Sequence, residues 1–260
     1  MKVIILILII LIILMIIIDA KNKETFEYPR KSSEVAMLFT GYNIDEWDYN
    51  FIKKWYNDIY TYFIWNKDNN EKTNSPYWAN RIKALENVTM MERDNQGWDA
   101  TAWKDCIVKY YGEISKYDEV FLINNSMNYE KLDMKEIVDL ASHYDIYGIF
   151  YMHDQSPHID SYFTGFNRRT INSEEFKKFF FREFPRINAH IEAVGKYEMA
   201  ITRYFENRGF TVGAYIVTKR PHSGLYMVEP EDVDLNEVKI ITKKAHLKVN
   251  DNYKKWLELK

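Results

Sequence analysis

The chain has 260 residues, 28% of them charged, with a formal net charge of −3. That balance excludes the basic excess by which nucleic-acid-binding domains are recognised, so no nucleic-acid partner is expected. Cys106 is the single cysteine, which excludes an intrachain disulfide and a metal site built from several thiolates.

The first signal along the chain is an unbroken apolar run from Val3 to Ile18. As a helix it would span about 24 Å, a little short of the ~30 Å hydrocarbon core of a bilayer. Lys2 and Lys21 stand at its ends, where they can snorkel to the headgroups. No small-x-small cleavage site precedes Ala20, which favours an uncleaved signal-anchor over a signal peptide. The sequence therefore predicts a transmembrane anchor over 1–20, a polar linker over 21–33, one domain over 34–217 and a C-terminal extension over 218–260. Membrane contact is assigned to residues 3–18. Lys2 and the free amino end orient the N-terminus inward, which would put the domain outside the cytoplasm or in a secretory lumen.

Within the domain, Glu34–Thr40 reads as a buried strand. Trp47–Tyr60 reads as an amphipathic helix with Phe51, Ile52, Trp55, Tyr56 and Ile59 at helical spacing. A short strand over Tyr62–Trp65, a polar loop to Pro76 and a helix over Tyr77–Leu85 follow. Val88–Met91 is a third strand. It feeds the turn Asp94-Asn95-Gln96-Gly97, and a helix capped by Asp99 runs to Ile114. Glu119–Ile123 is a strongly apolar strand, Met134–His143 a helix, and Ile146–Met152 and Ser161–Phe166 are strands. Helices over Glu174–Phe181 and Ile187–Asn207 and a strand over Phe210–Val217 complete the pattern. Strands alternating with helices predict an α/β sheet covered on both faces. In such sheets ligands bind beyond the carboxyl ends of the strands, near the switch in strand order. That rule selects the segments after three strands: Asn95–Asp99, Asn124–Ser126 and His153–Asp160.

Each segment has a structural reading beside a chemical one. A Gly-bearing turn that opens a helix presents bare backbone N–H groups to an anion or a hydroxyl-rich ligand, but it is also simply a helix start. Asn124-Asn125-Ser126 delivers short polar side chains from an apolar strand, as a metal–diphosphate site or an Asx turn would. The segment from His153 to Asp160 carries two histidines and two aspartates, a candidate metal-dependent hydrolase site on His153, Asp154 and His158 or a solvated loop. Glu198 lies on a helix whose Ile201 and Phe205 face the core. A carboxylate there is either a general base or a salt-bridge partner of Arg203 or Lys196.

Taken together, these segments resemble the rhamnan synthesis protein F family of glycosyltransferases. The matching residues are Asn95, Gly97, Asp99, Ala102, Trp103, Lys104 and Asp105; then Asn124 and Ser126; then His158, Ser161, Tyr162 and Phe163; then Tyr197, Glu198 and Thr202. Their order and spacing agree over roughly residues 35 to 217. The resemblance implies a GT-A-like, Rossmann-type mixed sheet flanked by helices. It implies transfer of a sugar, often rhamnose, from a nucleoside-diphosphate donor to a glycan acceptor with inversion. By that likeness Asn95, Gly97, Asp99, Lys104, Asn124, Asn125 and Ser126 line the donor site, and His158 and Tyr162 face the acceptor or support the site. Glu198 is the base, with Asp160 as a second catalytic carboxylate. A divalent cation, Mn²⁺ or Mg²⁺, is the implied cofactor. The family's strand-end aspartate is Asn125 here, an amide that binds such a cation weakly, which leaves Asp154 or Asp160 to supply the missing carboxylate ligand. The same departure supports a rival reading, a catalytically inactive relative that binds glycan or nucleotide.

Overall fold

The central strands carry apolar residues on both of their faces, which is what a parallel sheet covered by helices on each side requires. Met37, Phe39, Phe63, Trp65, Phe121 and Ile123 point into one core layer. Their neighbours Ala36, Leu38, Tyr62, Ile64, Val120 and Leu122 point into the other. Successive side chains of a strand alternate between faces, so each strand feeds both layers.

A computed structural model of the chain describes residues 34–68, 74–129, 132–152, 157–185, 187–217 and 241–242. The apolar run at 3–18, the linker, His153, Asp154 and all of 218–260 except 241–242 lie outside the described residues. Among the described residues, no helix is long and apolar enough to cross a membrane.

The order begins with β1 (Val35–Gly41), α1 (Glu46–Trp55), β2 (Tyr60–Lys67), α2 (Ser75–Lys83), β3 (Val88–Asp94) and α3 (Trp98–Ile114). Next come β4 (Glu119–Asn124), β5 (Met127–Asn128) and α4 (Met134–Val138), which tightens into a 3₁₀ turn over Asp139–Ser142. The strands β6 (Ile146–Met152), β7 (His158–Ile159) and β8 (Phe163–Asn167) follow. The helical region after them comprises α5 (Arg168–Ile171), α6 (Glu174–Lys177), α7 (His190–Ala193) and α8 (Met199–Glu206). It contains two π-helical turns, Lys178–Glu183 and Val194–Glu198. β9 (Val212–Val217) and β10 (Ile241–Thr242) come last.

Eight of these strands form one mixed sheet in the order β3-β2-β1-β4-β8-β6-β7, with β9 on β6. β1 pairs in parallel with β2 and β4, and β2 with β3. β8 is antiparallel to both β4 and β6, so β6 runs in the direction of β1–β4. The chain steps outward from β1 to β2 and β3, then returns to place β4 on the other side of β1. That reversal is a topological switch, the place at the carboxyl ends of β1 and β4 where sheets of this class open a ligand crevice.

The mixed α/β sheet flanked by helices is the class expected from the sequence, but several boundaries differ. α1 stops at Trp55, because a tight turn in which Asp58 and Ile59 N–H donate to the Trp55 carbonyl leads directly into β2. α3 is not capped by Asp99. Its N-cap is Gly97 at φ 73°, Trp98 follows at φ 55°, and Asp99 lies inside the first turn. The helices expected over Glu174–Phe181 and Ile187–Asn207 are broken by the π turns. One pairing was not foreseen at all: in the C-terminal segment, β10 pairs antiparallel with β5, Ile241 opposite Asn128.

Candidate functional site

The crevice is bounded first by the polar residues that end the strands. Thr40 of β1 is buried, and its hydroxyl accepts from the Asn66 amide at the end of β2 (3.0 Å). Asn66 Oδ1 accepts from Arg93 Nη1 at the end of β3 (2.8 Å), and Arg93 Nη2 donates to the Gln96 carbonyl (2.6 Å). Arg93 Nε also lies 3.3 Å from the Asp105 carboxylate of α3. This chain of contacts ties the carboxyl ends of three parallel strands to the turn before α3. Burial lowers the pKa of Arg93 against the opposing pull of Asp105, but a guanidinium so far from its titration range stays charged.

The turn itself is strained. Gly97 has the left-handed backbone that favours glycine, and Trp98 adopts it despite its large side chain, which is rare and costly. Asn95 is held by its N–H donating to the Lys67 carbonyl (2.9 Å). Lys104 sits one turn into α3, its ammonium 3.8 Å from Asp105, so it belongs to the ion-pair cluster around Arg93.

Across the crevice, β4 ends in Asn124. Its side-chain oxygen accepts from the Ser126 N–H (3.0 Å) and hydroxyl (2.5 Å), an Asx turn. Asn125 is turned toward β1. Its N–H donates to Thr40 O (3.0 Å), its side-chain amide donates to Tyr42 O (2.8 Å) and Asp48 Oδ2 (3.2 Å), and its Oδ1 accepts from Tyr42 N–H (3.3 Å). Asp48 is only 2% exposed, and it closes the capping box of α1 by accepting from the Asp45 N–H. Asn125 thus locks the segment after β1 onto β4. A Cβ at Gly41 would meet Ile44 Cδ1 at 2.3 Å first and the Asn125 side chain at 3.2 Å.

The third wall comes from β7, β8 and the second π turn. The Glu198 carboxylate ends that turn, where an added residue re-aims the helix. Its Oε1 accepts from the Ser161 N–H (3.4 Å) and lies 3.9 Å from His158 Nε2. The next turn fixes β7, with Ile159 N–H donating to Thr202 Oγ1 (3.0 Å). Tyr162 reaches β4 through its backbone, accepting from Asn124 N–H (3.2 Å). The buried Tyr129 hydroxyl lies within hydrogen-bond distance of both Asn124 O (2.9 Å) and Tyr162 O (2.8 Å), which share its one proton.

Two phenols report how these walls face each other. Burial pushes the Tyr129 pKa far up, and the carboxylates of Asp99, Asp48 and Asp160 push it further. Burial does the same to Tyr197, helped by Glu198 and Asp99. Asp99 therefore acts on a hydroxyl beside β4 and on one beside Glu198. The fold gathers Asp99, Asn124–Ser126, His158, Asp160, Tyr162 and Glu198 around one edge of the sheet, while Lys104 stays with Asp105 on the α3 side. Thr40, Tyr42, Asp48, Asn66 and Arg93 lie outside the segments that the sequence pattern selects. Thr40 and Asn66 carried a usable signal: each is a polar residue closing an apolar parallel strand.

The described residues contain no group of three or more His, Cys, Asp or Glu side chains placed to hold a metal ion. Asn125's amide is engaged by Tyr42 and Asp48, and Asp154 lies outside the described residues.

In doubly wound α/β sheets ligands bind at the strand-order switch, and the Glu198–His158 pair stands on that edge here. The family model of rhamnan synthesis protein F matches residues 71–254, and the chain belongs to that family, whose role lies in polysaccharide synthesis. The match begins after β2 and so leaves out β1, α1 and β2. No individually curated protein matches the chain.

Proposed function

We propose that the chain is a glycosyltransferase with a GT-A-like arrangement, moving a sugar, rhamnose by the family's role, from a nucleoside-diphosphate donor to a glycan acceptor. The observation that carries this reading is the crevice between β1 and β4, with Asn124–Ser126 on one side, the Asn95–Asp99 turn on another and Glu198 on the third. The donor's diphosphate would lie over the strand ends, within reach of the backbone N–H groups of the turn and the Ser126 hydroxyl. An acceptor hydroxyl would lose its proton to Glu198 while its oxygen attacks the anomeric carbon. The bond from that carbon to the diphosphate oxygen breaks, the nucleoside diphosphate leaves with the electron pair, and the configuration inverts. His158 and the Ser161 N–H hold the Glu198 carboxylate in position. Asp160 follows β7 on the same edge and is the alternative base. No step is routed through a metal.

A second reading, a binding-only relative, is favoured by Asn125, whose amide serves as a structural lock where the family has an aspartate. One experiment separates the two. The full chain is offered a panel of nucleotide sugars with a rhamnan acceptor, with and without Mn²⁺ or Mg²⁺, and binding and turnover are followed separately. Transfer that falls about 10²–10⁴-fold in Glu198→Gln while donor binding is kept supports the enzyme. Binding of donor or of rhamnan without turnover supports the relative, and absence of binding to either defeats both. Anchoring through residues 3–18, with the domain on the extracytoplasmic or lumenal side, is part of the same proposal.

A further inference from the structure

The second π turn, Val194–Glu198, carries three features that its present contacts leave unexplained. A helical turn with an added residue is rare, and such turns recur at functional sites. This one ends on Glu198. Where the added residue lies decides the direction of the side chain beside it, since each residue advances an α-helix by about 100°.

The first feature is Gly195, inside the turn. Its φ is not left-handed, and a Cβ there would meet nothing within 4 Å. Neither backbone angle nor close packing requires glycine in this conformation, yet glycine weakens a helix relative to alanine. The second is the Tyr197 hydroxyl. Tyr197 is 1% exposed, and among the described residues its hydroxyl has no hydrogen-bond partner, a costly state for a buried O–H. The ring packs against Trp103 (5.7 Å between centroids) and Phe184 (5.5 Å), and the carboxylates of Glu198 and Asp99 are the charges that bear on the hydroxyl. The third is the hold on Glu198 itself. Ser161 N–H at 3.4 Å and His158 Nε2 at 3.9 Å are long contacts, so re-aiming the carboxylate forfeits little.

The flanks of the turn differ. α8 is fixed by the buried Ile201, Thr202 and Phe205 and by the bond from Ile159 N–H to Thr202 Oγ1 (3.0 Å). α7 has four residues, and Ile191 in it is 75% exposed. The turn is therefore anchored firmly on one side only. The first π turn, Lys178–Glu183, contrasts with it: it has no glycine and buries Phe179 and Phe180.

We propose that Val194–Glu198 is a two-state turn that sets the aim of Glu198. Its added residue shifts when ligand enters the crevice, the Tyr197 hydroxyl gains an acceptor, and the carboxylate turns to the substrate; that Glu198 is the base rests on the transferase reading. A ligand shifts such an equilibrium only through contacts that differ between the two states, and the Tyr197 O–H, without an acceptor in the present one, supplies that difference. Gly195 keeps both backbone forms accessible.

The test uses the full chain with Gly195→Ala, Tyr197→Phe and, as a control in α3, Gly112→Ala, whose Cβ also meets nothing within 4 Å. The probes are rhamnose linked to dTDP, UDP or GDP and the matching free nucleoside diphosphates. Melting temperature, affinity for the free diphosphates, transfer to rhamnan, and hydrogen exchange of the 194–198 amides with and without nucleotide sugar are followed on the same preparations. Gly195→Ala and Tyr197→Phe should melt about 1–2 °C higher and bind the diphosphates within about twofold of wild type. Both should transfer about threefold or more slowly, because the turn is biased toward its ligand-free form. Gly112→Ala should melt higher with transfer unchanged. In the wild type, exchange at 194–198 should change when nucleotide sugar binds, and Gly195→Ala should blunt that change. Wild-type transfer by either site variant overturns the switch and leaves the transferase standing. So does exchange at 194–198 that ignores bound nucleotide sugar, or a Tyr197→Phe that melts lower, which would make the hydroxyl a structural partner. A ligand-dependent change in exchange without transfer supports the switch and removes only the transferase reading. A wild type that binds no nucleotide sugar overturns both.

Discussion

Asn125→Asp restores the residue expected at this strand end, and the structure predicts that the exchange destabilises the fold. The wild-type amide donates to Tyr42 O at 2.8 Å and to Asp48 Oδ2 at 3.2 Å. A carboxylate has no proton for either. The bond to Tyr42 is lost, at about 1 kcal/mol, and the contact with Asp48 becomes a repulsion. Two unit charges at that separation repel by ~5 kcal/mol at an effective dielectric of about 20. Asn125 is half-exposed, so solvent and proton uptake reduce this to about 2 kcal/mol. The total of ~3 kcal/mol lowers the melting temperature by about 10 °C for a domain of this size.

The pH dependence identifies the cause. A repulsion of ~2 kcal/mol holds one proton on the pair to about pH 5.4, above the ordinary aspartate value near 3.9. The folded variant's pKa is therefore above its unfolded one, so the added destabilisation is full above about pH 5.4 and is lost only as the pH falls to about 3.9. Thermal melts at pH 8 and pH 4 should show a deficit of about 10 °C shrinking to about 4 °C, most of the residue being the unfilled Tyr42 carbonyl. A variant as stable as wild type at pH 8, or a deficit that grows toward pH 4, would refute the assignment of Asn125 as a lock.

Glu119 starts β4 at the opposite end of the sheet, and burial raises its pKa to about 7 although the Tyr147 hydroxyl donates to it. The folded value exceeds the unfolded one, so the wild type gains stability as the pH falls from 7 toward 4.5. Glu119→Gln should stabilise the fold at pH 8 by about 1–2 kcal/mol after solvent screening, read as a raised melting temperature, and leave it nearly unchanged at pH 5. Burial opposes ionisation of Asp145, but bonds from Thr211 N–H, Asn167 and the Thr211 hydroxyl, with Arg169, outweigh it and hold its pKa below the usual value. Its stabilisation is present above about pH 3.9 and lost as the pH falls through the depressed value. Asp145→Ala should cost about 3 kcal/mol in denaturant titrations at pH 7. Gly97→Ala places a Cβ 2.1 Å from Thr101 Oγ1 on a left-handed backbone and should lose about 2 kcal/mol, whereas Gly112→Ala meets nothing within 4 Å and should gain about 0.5 kcal/mol.

Much of the fold was legible because periodicity is local. The apolar runs at Val35–Gly41 and Glu119–Asn124 announce buried parallel strands, and Phe51, Ile52 and Trp55 announce the face of α1. Boundaries failed where a few backbone angles decide, as at Gly97 and Trp98, whose left-handed conformations moved the helix start ahead of Asp99. The π turns were hidden because a helix with one added residue keeps nearly the same apolar spacing. The β5–β10 pairing joins segments more than a hundred residues apart, and two-residue strands carry no periodic signal.

By itself the sequence determined the alternation of strands and helices, the family, and the short polar residues delivered to the strand ends. Those follow from side-chain type at fixed local spacing, which governs burial and backbone preference directly. Tertiary structure decided which strands are neighbours, and with that the crevice between β1 and β4, the meeting of Glu198 with His158, and the choice of Asp48 as Asn125's partner. Such contacts depend on where distant segments are brought by packing, and a hydrogen-bonding side chain does not state in advance which of its reachable partners it will take.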